Sequence, residues 1–408
     1  MNDDTPVLDL AAIRARFPSL RSGTAHFDGP GGTQTPDVVA QAIYDTLTGP
    51  LSNRGALTEA ERNADAAVVG ARAAMGDLLG ADPSGIVFGR SMTALTMDFA
   101  RTMAKQWGPG DEVVVTRLDH DSNVRSWVLA AEGVGATVRF ADFDRETGEL
   151  DPAEIARNLS PATRLVAVTA ASNLIGTMPD LPAISALVHD AGARLYVDAV
   201  HYAAHAVVDV AALGADYLAC SPYKFLGPHC GVIWGRPELL EELRPDKLLP
   251  SPNHVPERFE LGTLPYELLA GTTAAVDFLA SLACPDAAQR SRRERLVATM
   301  TALEAHEERL RSRIERELLS LPGVTIHSRA ERRTPTLLVT VAGHDPRAIQ
   351  AFLAERGVNA PAGTFYAYEA ARHLGLPDYG ALRIGLAPYV DDSDVDRLLA
   401  GIRDCLTR

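Results

Sequence analysis

The sequence predicts an α/β protein: a mainly parallel central sheet flanked by helices, with a smaller α+β domain in the C-terminal third. Three observations predict it. Between residues 85 and 235, short apolar runs alternate with amphipathic stretches, the pattern of a parallel sheet covered on both faces. Each apolar run ends in a polar turn, so functional groups collect at strand ends. Beyond residue 319, two apolar runs (RTPTLLVTVAG and ALRIGLAPY) are separated by one helical pattern and followed by another. At 408 residues the chain has room for a large domain and a small one. We divide it into residues 26–285, and residues 1–25 with 286–408.

Composition narrows the function. Charged residues make up 23% and hydrophobic ones 46%, ordinary for a soluble globular enzyme. The net charge of −14 argues against nucleic acid or an anionic membrane as partner, since both need basic patches. Cys220, Cys230, Cys284 and Cys405 form no C-x-x-C pair, so neither zinc nor a disulfide framework is indicated. The acidic start lacks the basic-then-apolar order of a signal peptide, and no apolar run approaches a membrane span. The expected location is the cytoplasm.

The elements follow in order. LDLAAIRARFPSL (8–20) is a helix pattern with Leu10, Ile13 and Phe17 on one face. AHFDGPGGTQTP (25–36) is a glycine-rich turn where Gly31 and Gly32 let backbone approach a ligand. Arg54 lies in a loop before a long helix that ends near residue 80. GIVFGRSMTALTMDFARTMAKQW (85–107) reads as strand, tight turn and helix. Ser91, Met92 and Thr93 open that helix, whose free N–H groups and positive dipole end suit an anion. His120 directly follows the next strand, and Asp119, Asp121 and Asp144 read as solvated loop acids. Asn173 sits in the loop ASNLIGT between a strand and a helix. His201 and His205 have the H-x-x-x-H spacing of a zinc pair, without the glutamate of H-E-x-x-H. A long amphipathic run from about Ala287 to Leu319 marks the passage into the second domain. Arg383 lies on the last strand, ahead of a final helix with an acidic start.

The stretch from Arg194 to Gly235 organises the rest. One apolar run ends on Asp198 and a second ends in Ser221-Pro222-Tyr223-Lys224, so two strands deliver an acid and an amine to strand ends, where α/β sheets bind ligands. Of 39 basic side chains only Lys105, Lys224 and Lys247 are lysines. The other two lie in polar loops. Chemistry that needs an amine cannot use arginine, which neither deprotonates nor forms an imine. An imine-forming lysine with an aspartate able to pair a pyridinium nitrogen is the core of a pyridoxal-phosphate site.

The run VDAVHYAAH…ADYLACSPYKFLGPHCGVIWG resembles the cofactor-lysine region of class V aminotransferases, in the cysteine-desulfurase-like branch, and the similarity extends roughly from His26 to Leu399. The resemblance implies a fold-type-I enzyme that holds pyridoxal 5'-phosphate as an imine on Lys224. It assigns Asp198 to the ring nitrogen, His120 to stacking on the ring, and Asn173 and His201 to the ring oxygen. It gives the phosphate to Ser91, Met92, Thr93, Ser221 and Tyr223, with Thr263 from a partner subunit, which implies a homodimer with shared sites. It gives an amino-acid substrate to Arg383, Asn173 and Gly31, with Arg54 presented to the partner's site.

One departure bears on the reaction. Cysteine desulfurases of this branch carry a mobile cysteine before the last strand, because a thiolate must attack the substrate sulfur. Here GVNAPAGTFYAYEAARHLG (357–375) has none, and Tyr366 falls near that place. The chain is therefore expected to catalyse C–S β-elimination of cysteine or an S-substituted cysteine. The alternatives are transamination, epimerisation, decarboxylation-coupled oxidative deamination, desulfuration through Cys230, or a binding module without turnover.

Overall fold

The computed structural model describes residues 8–283 and 289–407. The boundary at 285/286, Cys284 and Ala287 lie outside these residues. Seven strands form the central sheet, in the order Ile86–Gly89, Gly231–Gly235, Tyr217–Cys220, Arg194–Asp198, Thr163–Thr169, Glu112–Thr116 and Thr137–Ala141. Gly231–Gly235 runs antiparallel to both neighbours, and the pairs from Tyr217–Cys220 to Thr137–Ala141 are parallel. The expected mainly parallel α/β sheet is what forms.

Alternation along each strand explains why both faces are covered. Val113, Val115, Leu165, Ala167, Tyr196 and Ile233 pack on one side with residues of the helices Met92–Ala104 and Ser122–Gly133. Val114, Val166, Val168, Leu195, Val197 and Val232 enter the larger core on the other side. A side chain of either type left in water would forfeit roughly 1.5–3 kcal/mol.

A second, antiparallel sheet orders Ala362–Gly363, Ala381–Gly385, Thr336–Val341 and Val324–Ile326. The glycine-rich turn is tied to this part of the chain: Ala25–His26 pairs parallel with Val358–Asn359, and Asp28 bridges to Gly385. That pairing brings Gly31 and Arg383 to one place.

Two helices differ from the sequence reading. The first is Leu10–Ala15, followed by a 3-10 turn Pro18–Ser22, because Pro18 cannot continue the α-helix; Ile13 and Phe17 are buried and Leu10 only partly. The long helix runs Arg292–Leu319, beginning where Ser291 and Glu294 close a capping box. Among the described residues no helix is long and apolar enough to cross a membrane.

Candidate active site

Parallel pairing sets the strand ends level. Thr169 lies opposite Asp198, and Asp198 opposite Ala219, so the turns that follow these strands open onto one space. That space is a cavity of about 650 Å³. Lys224, Asp198, His120, Asn173, His201 and Arg383 line it, with Ser91, Met92, Thr93, Ser221, Tyr223 and Gly31. Positions spread over more than 350 residues of sequence thus converge. Thr263 and Arg54 do not line it: Thr263 is exposed, and Arg54 pairs with Asp65 at 2.9 Å and Glu257 at 3.3 Å.

Lys224 closes a short 3-10 turn, Pro222–Lys224, and its Nζ donates to the Pro30 carbonyl at 2.6 Å. Burial and then the Arg383 charge pull its pKa down to about 7, with Asp198 pulling the other way. Asp198 ends its strand and accepts from the Val200 N–H at 2.9 Å. Burial lifts its carboxyl to about 6, against the pull of that hydrogen bond and of Lys224. It is ionised at neutral pH and can hold a proton on a ring nitrogen.

His120 accepts from the Ser122 N–H at 3.1 Å through Nδ1, and burial, Lys224 and Arg383 lower its pKa to about 4. It is a neutral, flat surface. His201 spends Nε2 on the Thr334 and Thr336 hydroxyls at 3.0 and 2.9 Å, leaving Nδ1 buried without a hydrogen-bond partner among the described residues. His205 turns instead to Glu307 at 2.9 Å, away from any shared ligand with His201.

Arg383 is buried in the last strand. Its Nη1 donates to the Asn173 carbonyl at 2.9 Å and its Cζ lies 3.7 Å from the centre of the Phe365 ring. Burial lowers its pKa to about 9, opposed by Asp28. A buried guanidinium with no carboxylate in hydrogen-bond contact among the described residues suits an anionic substrate group.

The Ser91 hydroxyl caps the Ala94 N–H at 3.1 Å, which leaves the N–H groups of Met92 and Thr93 at the start of the helix. Gly231 is what lets the neighbouring strand approach this turn. A Cβ there would lie 2.1 Å from the Ser91 carbonyl carbon and 2.4 Å from the Met92 nitrogen.

The sequence reading needs two corrections and several additions. Asp119 is not a solvated acid: it is fully buried and takes hydrogen bonds from Thr116, from Asn123 at 2.7 Å and from the Thr169 backbone. Asp121, read as a solvated loop acid, lines the cavity; its Oδ1 is buried with no hydrogen-bond partner among the described residues, and Arg125 lies 3.6 Å from it. Thr169, Ala171, Val200, Met97, Arg125 and Phe365 also line it and were missed. The strand-end rule could have found Thr169 and Val200. Nothing local marks Arg125 or Met97, which a helix turn brings in. Among the described residues no cysteine lines the cavity: Cys220 and Cys230 are buried, and the Cys230 Sγ lies 3.5 Å from the Thr272 hydroxyl.

A family model for class V aminotransferases matches residues 25–398. The chain belongs to the class V aminotransferase family. Relatives extend the match. An uncharacterized protein of Mycobacterium tuberculosis is 34% identical, over 97% of this chain and 98% of that one. The aminotransferase-like protein FGM3 of Gibberella zeae is 30% identical, over 96% of each. The crystal structure of the cysteine desulfurase CsdA from Escherichia coli superposes with a TM-score of 0.86 at 27% identity, covering 98% of this chain and 99% of that one. Membership makes the chain a pyridoxal-phosphate-dependent enzyme. The residues present fit that cofactor. They include a lysine with a low pKa, an ionised buried aspartate, a helix start for an anion, and buried polar atoms on Asn173, His201 and Arg383 that have no hydrogen-bond partner among the described residues.

Proposed function

We propose that the chain catalyses C–S β-elimination on an S-substituted cysteine. The single observation that carries this reading is the cavity lining: amine, acid and arginine converge, while no cysteine among the described residues is there to collect sulfur. In the loop before the last strand, the cavity is met by Phe365 and Tyr366 instead.

Lys224 would bond the cofactor aldehyde, with Asp198 keeping the ring nitrogen protonated and His120 supporting the ring face. Ser91, Met92, Thr93, Ser221 and Tyr223 would hold the phosphate, helped by Thr263 of the partner subunit in a homodimer. The exposure of Thr263 in its own chain supports that last assignment. Bound pyridoxal phosphate supplies a conjugated ring that stabilises negative charge at the substrate Cα. Arg383 pairs the substrate carboxylate and fixes the Cα–H bond relative to Lys224. The Lys224 amine, whose neutral form is well populated near pH 7, takes the α-proton. The Cβ–S bond then breaks and sulfur leaves as a thiolate with the bonding pair. With one water consumed, the products are a thiol, pyruvate and ammonium, and no protein thiol is needed.

The test is product analysis. The holoenzyme given S-substituted cysteines should release thiol and pyruvate in equal amounts, and Lys224→Ala should abolish both. Alanine with a protein persulfide would establish desulfuration instead and overturn the proposal.

A further inference from the structure

We propose that Tyr366 sets the specificity of this site and selects a substrate whose side chain ends in an aromatic or similarly flat, uncharged group. The inference rests on the proposed function and names its substrate class.

The loop from Ala362–Gly363 to the helix Tyr368–His373 holds two consecutive non-glycine residues in the left-handed region, Phe365 at φ 54° and Tyr366 at φ 59°. Such residues are uncommon, and a strained pair persists only where surrounding structure fixes it. Here both carbonyls are fixed. The Asn173 side-chain N–H donates to the Phe365 carbonyl at 2.8 Å, and the Asp121 N–H donates to the Tyr366 carbonyl at 2.7 Å. Two cavity-lining residues thus hold the loop in its strained form.

The strain aims two rings. Phe365 lies beneath the Arg383 guanidinium, and Tyr366 stacks on His120 with centroids 5.5 Å apart and planes 25° from parallel. Tyr366 is 76% exposed, so the fold gains little from burying it, although both rings line the cavity. A strained, exposed aromatic held beside the catalytic groups is placed for a ligand rather than for packing. Its flat face continues the step begun by His120, and stacking favours a planar partner over a branched one.

Charge decides against an ionic side chain. Arg125, a cation lining the cavity, already has Asp121 at 3.6 Å and Glu369 at 3.8 Å. Neither sign is in surplus there.

The experiment compares S-benzyl-L-cysteine with S-methyl-L-cysteine on the holoenzyme, and L-phenylalanine with L-alanine in calorimetric binding. Wild type should favour the aromatic member of each pair. Tyr366→Ala should lower both preferences about tenfold, the factor of one lost aromatic contact, with the kinetic change in KM rather than kcat. Tyr366→Phe should retain them. Tyr366→Asn, which tolerates the left-handed backbone, should match Tyr366→Ala. Equal losses on both substrates, unchanged ratios, or a Tyr366→Phe variant as impaired as Tyr366→Ala would overturn the inference. Elimination with unchanged ratios sinks this inference alone. Binding ratios that fall in a protein without C–S lyase turnover sink the proposed function and leave the aromatic subsite standing.

Discussion

Lys224 can act as a base because its surroundings disfavour its charge. Burial and Arg383 together outweigh Asp198 and bring the amine to about 7. Its folded pKa is depressed, so the neutral, nucleophilic form gains population as pH rises through 7. Capture of pyridoxal phosphate by the apo-protein, followed as growth of the imine absorbance, should therefore speed up between pH 6 and 8 and then level. A rate that keeps climbing towards pH 10 would mean an unperturbed lysine. Asp119 makes a different prediction. Burial, with a smaller contribution from Asp198, pushes it up to about 8, although three donors reach it. Asp119→Ala would strand those donors in the interior, at a cost of about 2–4 kcal/mol in urea unfolding; a loss under 1 kcal/mol would contradict the buried role. The sequence could not show this, because L-D-H-D-S has the composition of a surface turn whichever side of the sheet it meets. Lys224 was legible for the opposite reason, since amine chemistry admits no substitute among 36 arginines. Cys230→Ser replaces the thiol with a hydroxyl that can still meet Thr272 and should leave C–S cleavage intact, whereas a selective loss of turnover would restore a sulfur-relay role.

At the scale of elements, strands were legible and their closeness was not. Continuous apolar runs in EVVVT and RLYVD report burial on both faces, and register then follows from parallel pairing. What such runs do not report is how near one turn comes to the next. Gly231 reads in the sequence as the start of a strand, yet it permits contact with the Ser91 turn. Gly231→Ala should push the start of the helix Met92–Ala104 off its anion position. The expected outcome is weaker cofactor binding, about tenfold or more if one charge-assisted hydrogen bond is lost. Titration of the apo-protein by cofactor fluorescence measures it, and unchanged affinity would dissociate this helix from the phosphate. Loop geometry was equally hidden: Phe365 and Tyr366 take a backbone that sequence assigns to glycine or asparagine, and contacts from Asn173 and Asp121 hold it.

The whole molecule leaves one assignment to a second copy. Thr263 is exposed on the loop ahead of the helix Tyr266–Ser281, and near it in sequence Leu261 is 57% exposed. Leu57, in the loop after Arg54, is 89% exposed. Large apolar side chains left in water around residues assigned to a partner favour a covered face. If two copies share sites, each site takes Lys224 from one chain and Thr263 from the other. A Lys224→Ala chain and a Thr263→Val chain would each be impaired as homodimers. In a mixed dimer, the Lys224 of the second chain meets the intact Thr263 of the first, so one site is whole and the other carries both defects. Mixing under conditions of subunit exchange should then restore tight binding of one pyridoxal phosphate per dimer. The Thr263→Val homodimer alone should bind about ten- to a hundredfold more weakly, the loss of one hydrogen bond to a charged group. A monomer in sedimentation that keeps full cofactor affinity, or mixed chains that recover nothing, would confine the site to a single chain.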